Sequence, residues 1–589
     1  DWSSDVCSSD LFTIPLLDPS KPTQPQKAPT LNLHKTAVTF SDGTTGEYSR
    51  PLKLHDVLSH PTLNKPDVVA LMVNGRVFSV NSVIETGIAN IAPVLLNSYE
   101  GFSVYRRSLV TVFATAAYQT YGDKFGVVIE HHVNNGYCVK KFDQSAFTEE
   151  ECCVIKDRMK ELVSRNLPLT DVVLSHEEAV SYFQRTNRPY SVSLLQNNNK
   201  DEIRCCECDG FLTLWVRPLI GTTGQLKEFD LRVSTKKEDL LLLFPLENKP
   251  IPDSLDQIET RMISENYDKS NMIGKATGIE CIGDLNKHIL NGDKELVLTM
   301  ENRQDMEIAR IADNVVEKIK SQGVRLVSIA GPSASGKTTF SKKLGVQLKL
   351  RGVVPVVLSS DDYYKHRVDS PKDENGNYDF ECLEALRLDD LNDTLNRLFK
   401  GEEVHPCVFN FKTGRYSFLE DKVLKLPPNG VVVMEGLHGI DERLTPAIPR
   451  QLKYYIFIAP LTQINIDEYN FLGNQVLRFF RRIVRDYLTR NYSASHTLKS
   501  WFSVAKGEEK YIFPFVDTAD MIWNSAMDYE AAAIYPYVLP LLRTVPVDDP
   551  NYNMARNLLD TLDLYMPIDD HLIGSTSLVR EFIGGSVFE

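Results

Sequence analysis

RLVSIAGPSASGKTTFSKKLGVQLKLRG, Arg325–Gly352, decides the fold of the second half of this chain. An apolar run, RLVSIA, leads into a loop bounded by Gly331 and Gly336, and a helix-forming stretch begins near Lys337. The glycines let the backbone wrap so that successive N–H groups point inward at phosphate oxygens. The helix behind the loop adds the positive end of its dipole. The segment therefore reads as a P-loop. Gly331, Ser333, Ala334, Ser335, Gly336, Lys337, Thr338 and Thr339 would cradle a nucleoside triphosphate. Lys337 would reach the β- and γ-phosphates, and the Thr338 hydroxyl would ligate Mg²⁺.

Beyond Arg325, the runs RLVSIA, PVVLSS, GVVVMEG and YYIFIAP are short, nearly continuously apolar and separated by helical segments. Strands of a parallel sheet with helices on both faces have this pattern, so an α/β P-loop domain is expected. VVLSSDDYYK places Asp361 and Asp362 just past the second strand, at the ligand-binding edge of such a sheet. A carboxylate there could orient and deprotonate a hydroxyl acceptor, or it could cap a helix or sit in a solvated turn. VVVMEG places Glu435 at the end of another buried strand, where it could hold Mg²⁺ through water or be a stray edge glutamate. RFFRRIVRDYLTR sets Arg478, Arg482 and Arg485 at i, i+4, i+7 on one helix face, with Arg490 just beyond. These guanidinium groups could stabilise a transferring phosphoryl group, or form a solvated basic face. A GTPase would need a guanine-reading NKxD element after the P-loop; NKPD occurs only at Asn64–Asp67, far upstream.

At 589 residues the chain calls for several domains. It is 42% hydrophobic and 24% charged, as soluble globular proteins are. The net charge of −14 argues against a broad nucleic-acid-binding surface and leaves room for a local basic patch. No apolar run approaches the roughly 18 residues of a membrane span; LLLLF, Leu240–Phe244, has the length of a buried strand. The ten cysteines show no disulfide-framework spacing and follow no secretory signal, so a reducing, cytoplasmic setting is expected. Cys205-Cys206-x-Cys208 lacks the second ligand pair of a zinc site and reads as strand cysteines.

The opening DWSSDVCSSDL resembles a translated sequencing-adapter scar and is followed by a Pro-rich stretch, so residues 1–36 are expected to be a disordered or non-native lead-in. Residues 37–100 alternate strands and turns, with hairpins at Asp42-Gly43 and Asn74-Gly75. Residues 101–247 form a mixed α+β block, 248–300 a polar connector, 301–545 the P-loop domain and 546–589 a C-terminal extension.

On GPSASGKTTF, SSDDYY, NYDF, MEG and the arginine segment, residues from about Glu301 to Leu542 resemble the uridine kinase / phosphoribulokinase family. The resemblance implies Asp361 as general base, Tyr364 against the acceptor, Asp379 on the ribose diol and Glu435 as the magnesium-associated carboxylate. It also places Arg482 towards the acceptor, and Arg485 and Arg490 in a lid over the triphosphate. Phe409 and Phe411 could line a flat base pocket, but Gly414 stands where nucleoside-specific members carry a base-reading histidine, and Val476 stands where an aspartate is usual.

VALMVNGRV through YEGFSVYRRSL resembles a TGS domain, which implies a small β-grasp-like fold. The next block resembles the second N-terminal domain of threonyl-tRNA synthetases. RRSLVTVFATAAY contains no histidine where that domain has an editing pair, and His131-His132 lies elsewhere. The first half is thus expected to bind RNA or a protein without editing chemistry. REFIGGS and the two-part layout resemble the long TGS-fused branch of uridine kinase-like proteins. Taken together, the resemblances imply ATP or another NTP with Mg²⁺ as cofactors, and a small-molecule hydroxyl acceptor, foremost the 5′-hydroxyl of uridine or cytidine. They imply no membrane, and they accommodate a homo-oligomer. An NTP-hydrolysing switch or RNA-associated regulator, a kinase of a non-nucleoside acceptor and a nucleotide-binding pseudokinase stay open as alternatives.

Overall fold

The computed structural model describes residues 34–588 apart from 134, 198–199, 235–237, 247–249, 255–260, 373–375, 377 and 463, with backbone alone at 261–265 and 270. Residues 1–33 of the expected lead-in lie outside the described residues, while Lys35 and Thr36 already belong to the first strand, Lys35–Phe40.

Two tight turns organise the first domain. Lys35–Phe40 pairs antiparallel with Thr45–Ser49 across Asp42-Gly43, where the Asp42 carboxylate accepts the Thr44 N–H at 3.0 Å. Val68–Val73 pairs with Arg76–Phe78 across Asn74 (φ 49°) and Gly75 (φ 76°), the two positive φ angles that a type I′ hairpin turn requires. Ile88–Leu95 lies between the hairpins, parallel to the first strand and antiparallel to Val68–Val73, completing a mixed, β-grasp-like sheet.

In the α+β domain, helices Tyr99–Tyr121 and Glu149–Ser164 share a core with the antiparallel sheet formed by Asp230–Val233, Leu240–Leu243, Gly136–Lys141 and Val127–Val133. A capping box between Thr148 and Glu151 starts the second helix. Cys205, Cys206 and Cys208 lie in strand Glu202–Cys208, with Cys206 and Cys208 facing this core and Cys205 the next one, as strand alternation dictates. The 248–300 stretch differs from a polar connector. It contains helices Arg261–Thr277 and Ile282–Leu290, then the first turns of Glu295–Gln322. Tyr267, Cys281, Ile282 and Leu285 are buried: Ile282 and Leu285, at i, i+3 on one helix, enter one core, and Tyr267 on the preceding helix enters another.

The second half is the α/β domain. Its strands are β1 (Leu326–Ala330), β2 (Val354–Ser359), β3 (Gly430–Gly436), β4 (Lys453–Ala459) and β5 (Met521–Asn524), all parallel in the order β2-β3-β1-β4-β5. Every residue of β3 and β4 is buried, which explains their nearly continuous apolar text. Val431 and Val433 face the side of α1 (Lys337–Leu350), while Val432 and Met434 face helix Leu388–Phe399, so the sheet is covered on both faces. Two further helices, α2 (Asn474–Arg490) and α3 (Ala494–Tyr511), stand over the loop after β1.

The C-terminal extension belongs to this domain's core. Leu578, Val579 and Phe582 are buried in the same cluster as Phe340 and Trp523. It also ties down the first domain: Arg76 pairs with Asp560 at 2.6 Å, and the Val77 N–H donates to Asn553 Oδ1 at 3.1 Å. The α+β domain is anchored through the buried Glu468, which accepts from Tyr190 N at 2.7 Å and Ser191 Oγ at 2.6 Å. Among the described residues, no helix is long and apolar enough to cross a membrane.

Candidate active site

The loop between β1 and α1 passes close to its neighbours. A Cβ on Gly331 would fall 2.2 Å from the Ile458 carbonyl oxygen of β4, and Gly336 holds a left-handed φ of 88° where α1 begins. Ala334 has a positive φ of 60° as well, so the loop is over-determined by its surroundings. Lys337 is buried and reaches back across the loop, its Nζ donating to Gly331 O at 2.9 Å and Pro332 O at 3.2 Å. The Ser335 hydroxyl is buried with no protein partner.

Two carboxylates meet this loop at the strand ends. The Thr338 hydroxyl donates to Glu435 Oε1 at 3.4 Å. Glu435 is 6% exposed. Burial, then the charge of Asp361, pushes its carboxyl up to about 7 against the pull of Lys337. The β2–β3 register sets Ser359 opposite Glu435, so the residue two beyond Ser359, Asp361, comes to the same edge. Gly436 is essential to that approach: a Cβ there would fall 1.7 Å from Ser360 Oγ and 3.2 Å from Asp361 Oδ1. Asp361 Oδ1 accepts the Leu437 N–H at 3.5 Å. A hydroxyl facing a carboxylate oxygen is a donor set that suits Mg²⁺, and a glycine-bounded loop at the N-terminus of α1 with the buried Lys337 across it suits a polyphosphate, so the residues fit both groups.

The adjacent acid is used differently. Asp362 accepts the Phe409 N–H at 3.1 Å and fixes the hairpin Cys407–Asn410/Arg415–Phe418; burial raises it to about 6. Tyr364, Phe409 and Phe411 form one aromatic wall, with ring centroids 5.6 Å apart for Tyr364–Phe409 and 5.1 Å for Phe409–Phe411. The Tyr364 hydroxyl donates to Phe380 O at 3.0 Å, which carries the NYDF element to this wall. Asp379 accepts from Glu381 N at 3.0 Å and from the Tyr511 hydroxyl at 3.3 Å. Gly414 closes the hairpin with φ 67°, and a Cβ there would meet Arg367 Cβ at 2.8 Å. Any side chain at 414 would displace Arg367, whose Nη2 donates to Phe411 O at 2.8 Å.

The arginine helix does not present one uniform face. Arg482, Arg485 and Arg490 converge on the buried Asp486 at 3.3, 2.9 and 3.4 Å. Burial would raise Asp486, but Arg485, Arg482 and Arg490 outweigh it and hold the carboxyl below its ordinary value. Arg482 also donates to Ser333 Oγ at 3.0 Å, and the Arg490 guanidinium lies 4.6 Å above the Phe411 ring. Burial and the charge of Arg485 lower Arg490 to about 10. Arg478 turns away to pair with Glu508, which also accepts the Ser333 N–H at 2.9 Å.

The structure thus brings Lys337, Thr338, Glu435 and Asp361 to one edge, and sets the aromatic wall, Asp379 and the arginines around it. Asp486, Glu508 and Arg481 were missed by sequence reasoning. Asp486 could have been found, as the single acid inside a basic helical motif; Glu508, thirty residues from Arg478, carries no local signal.

Residues 326–532 match the sequence model of the Phosphoribulokinase / Uridine kinase family. The N-terminal part matches threonine–tRNA ligases. That of Burkholderia lata is 28% identical over 198 residues, covering 33% of this chain and 31% of that protein. That of Syntrophotalea carbinolica is 27% identical over 197 residues, with the same coverage of 33% and 31%. The chain therefore spans about a third of the length of these curated relatives. Among solved structures, a possible uridine kinase from Bacillus stearothermophilus is 17% identical, with 37% of this chain and 97% of that one covered and a TM-score of 0.25. The family match, the parallel sheet and the P-loop make the C-terminal region a P-loop kinase domain.

Proposed function

We propose that this chain, whose residues 326–532 match the phosphoribulokinase / uridine kinase family, transfers the γ-phosphate of ATP or another NTP to a small-molecule hydroxyl, foremost the 5′-hydroxyl of uridine or cytidine. One observation carries the reading: Thr338 in the first turn of α1, Glu435 at the end of β3 and Asp361 just past β2 converge at the P-loop. Bound magnesium would supply positive charge against the β- and γ-phosphates, and Thr338 and Glu435 are the residues that would hold it. Asp361 takes the proton of the acceptor hydroxyl as it attacks. Lys337, Arg482, Arg485 and Arg490 neutralise charge on the transferring group, and Asp486 positions the three arginines. Tyr364, Phe409 and Phe411 offer an apolar aromatic wall of mutually inclined rings to a base, and Asp379 a carboxylate to a diol.

The test is incubation with Mg–ATP and a panel of nucleosides and sugars, with the phosphorylated product identified by mass. Uridine or cytidine monophosphate is the expected product. ATP loss with no phosphorylated acceptor, stimulated by tRNA, would overturn this reading in favour of the switch. A non-nucleoside acceptor is the second reading, favoured by the Arg367–Gly414 contact where a base-reading side chain would otherwise stand.

Protons compete with the metal for Glu435. With its carboxyl raised to about 7, apparent Mg²⁺ affinity is expected to fall about tenfold per pH unit below pH ~7 and to level off above it. Glu435→Gln should weaken Mg²⁺ binding and flatten that slope. A calorimetric Mg²⁺ titration in the presence of ATP checks it, and a wild-type affinity independent of pH from about 5.5 to 7 would refute the role.

A further inference from the structure

We infer that the C-terminal segment Leu578–Phe588 occupies phosphate-binding donors of the P-loop, so that its docking and nucleotide binding exclude one another. The inference rests on the P-loop being the nucleotide site proposed above. Thr339 lies in the first turn of α1, where the backbone N–H groups have no partner within the helix. Such groups hold phosphate oxygens in a P-loop. Here the Thr339 N–H donates instead to Glu581 Oε2 at 3.0 Å. A carboxylate at the positive end of α1 is the electrostatic counterpart of a phosphate, and the two cannot share one N–H without placing negative charges in contact.

Three further contacts hold Glu581 in place. The Leu578 side chain lies over Gly336, where a Cβ would fall 2.7 Å from Leu578 Cδ1. The Phe582 ring lies 4.9 Å from the guanidinium of Arg481, which itself donates to Ala334 O at 3.2 Å. The Phe588 carbonyl accepts from Lys342 Nζ on α1. The segment thus touches the loop at Gly336 and Thr339, and reaches Ala334 only through Arg481, within the span expected to wrap the phosphates. Anchored through buried Leu578 and Phe582, it can swing Glu581 off the Thr339 N–H only by loosening those contacts.

The experiment uses the full chain, with calorimetric titration of Mg–ATP and of inorganic tripolyphosphate into wild type, Glu581→Gln and Glu581→Ala. Both substitutions remove the competing charge, and both probes are expected to bind about tenfold tighter to the variants. Hydrogen exchange of residues 577–588 in the wild type reads the same competition without a substitution: saturating Mg–ATP should increase exchange there. Unchanged exchange at saturation overturns the inference, as do equal affinities in all three proteins. Failure of every protein to bind nucleotide overturns both this inference and the proposed function. Tighter binding by the variants, increased exchange, and no phosphate transfer to any acceptor would uphold the inference and overturn the proposed function.

Discussion

Asp361→Asn is expected to lower kcat by about 10²–10⁴-fold, while Mg–ATP binds at least as well as in the wild type. The amide keeps the shape of the side chain and can still accept the Leu437 N–H, which Asp361 Oδ1 accepts at 3.5 Å, but it cannot take a proton from an attacking hydroxyl. The charge of Asp361 is also second only to burial in raising Glu435. Removing it eases ionisation of Glu435 and therefore favours the metal. Damage to the fold would weaken nucleotide binding; loss of a general base leaves it intact or improves it. The neighbouring Asp362→Ala, which removes the acceptor altogether, provides the contrast. Asp362 holds the Phe409 N–H at 3.1 Å, so its loss should loosen the aromatic hairpin and act on the acceptor's KM more than on kcat. Single-turnover transfer and nucleotide titration on the two variants separate these outcomes. An Asp361→Asn enzyme retaining more than about a tenth of wild-type kcat would sink the assignment.

The P-loop, the two hairpins and the strands β1 to β4 were legible because each is specified within a dozen residues. Gly43, Gly75 and Gly336 take backbone angles that their local sequence demands, and the β3 and β4 runs are apolar because both faces are covered. β5 was not legible. At four residues, MIWN, it is shorter than the runs that announced the others, and only the edge position beside β4 makes it a strand. Within the site, residue types were readable and partners were not. The i, i+4, i+7 spacing placed arginines on a helix, but which carboxylate each one meets depends on chain folded back from afar. Glu508 takes Arg478 from α3, and Glu530 takes Arg481. The same limit applies to Glu581, which lies 242 residues from the Thr339 N–H it accepts. Composition misled at 248–300, where a polar average concealed the buried Tyr267 on one helix and the i, i+3 pair Ile282 and Leu285 on the next.

Glu530→Ala is expected to destabilise the nucleotide domain by about 3–5 kcal/mol, the largest stability effect of any single truncation at this site. Arg481 and Glu530 are both 0% exposed and joined by two bonds, Nε to Oε1 at 2.5 Å and Nη2 to Oε2 at 2.6 Å. Neither charge reaches water, so removing the carboxylate leaves a guanidinium without a counter-ion in a low-dielectric interior. Ser525 O at 2.9 Å and Ala334 O at 3.2 Å still accept from it, which moderates the loss without supplying charge. The pair's net contribution is much smaller than the damage from halving it, because folding strips water from both ions. Arg481→Met with Glu530→Leu should therefore recover most of the lost stability. The recovery should not extend to the phosphate site: Arg481 holds the Ala334 carbonyl, and Ala334 keeps a φ of 60° inside the P-loop. The double variant is expected to unfold near the wild-type temperature yet bind Mg–ATP more weakly, so that stability and loop geometry come apart in one protein. Thermal unfolding followed by tryptophan fluorescence, to which Trp501 and Trp523 in this core contribute, reports the first quantity, and nucleotide titration the second. A single Glu530→Ala change costing less than about 1 kcal/mol would mean that the guanidinium finds water or another anion there, and the account of this buried pair would fall.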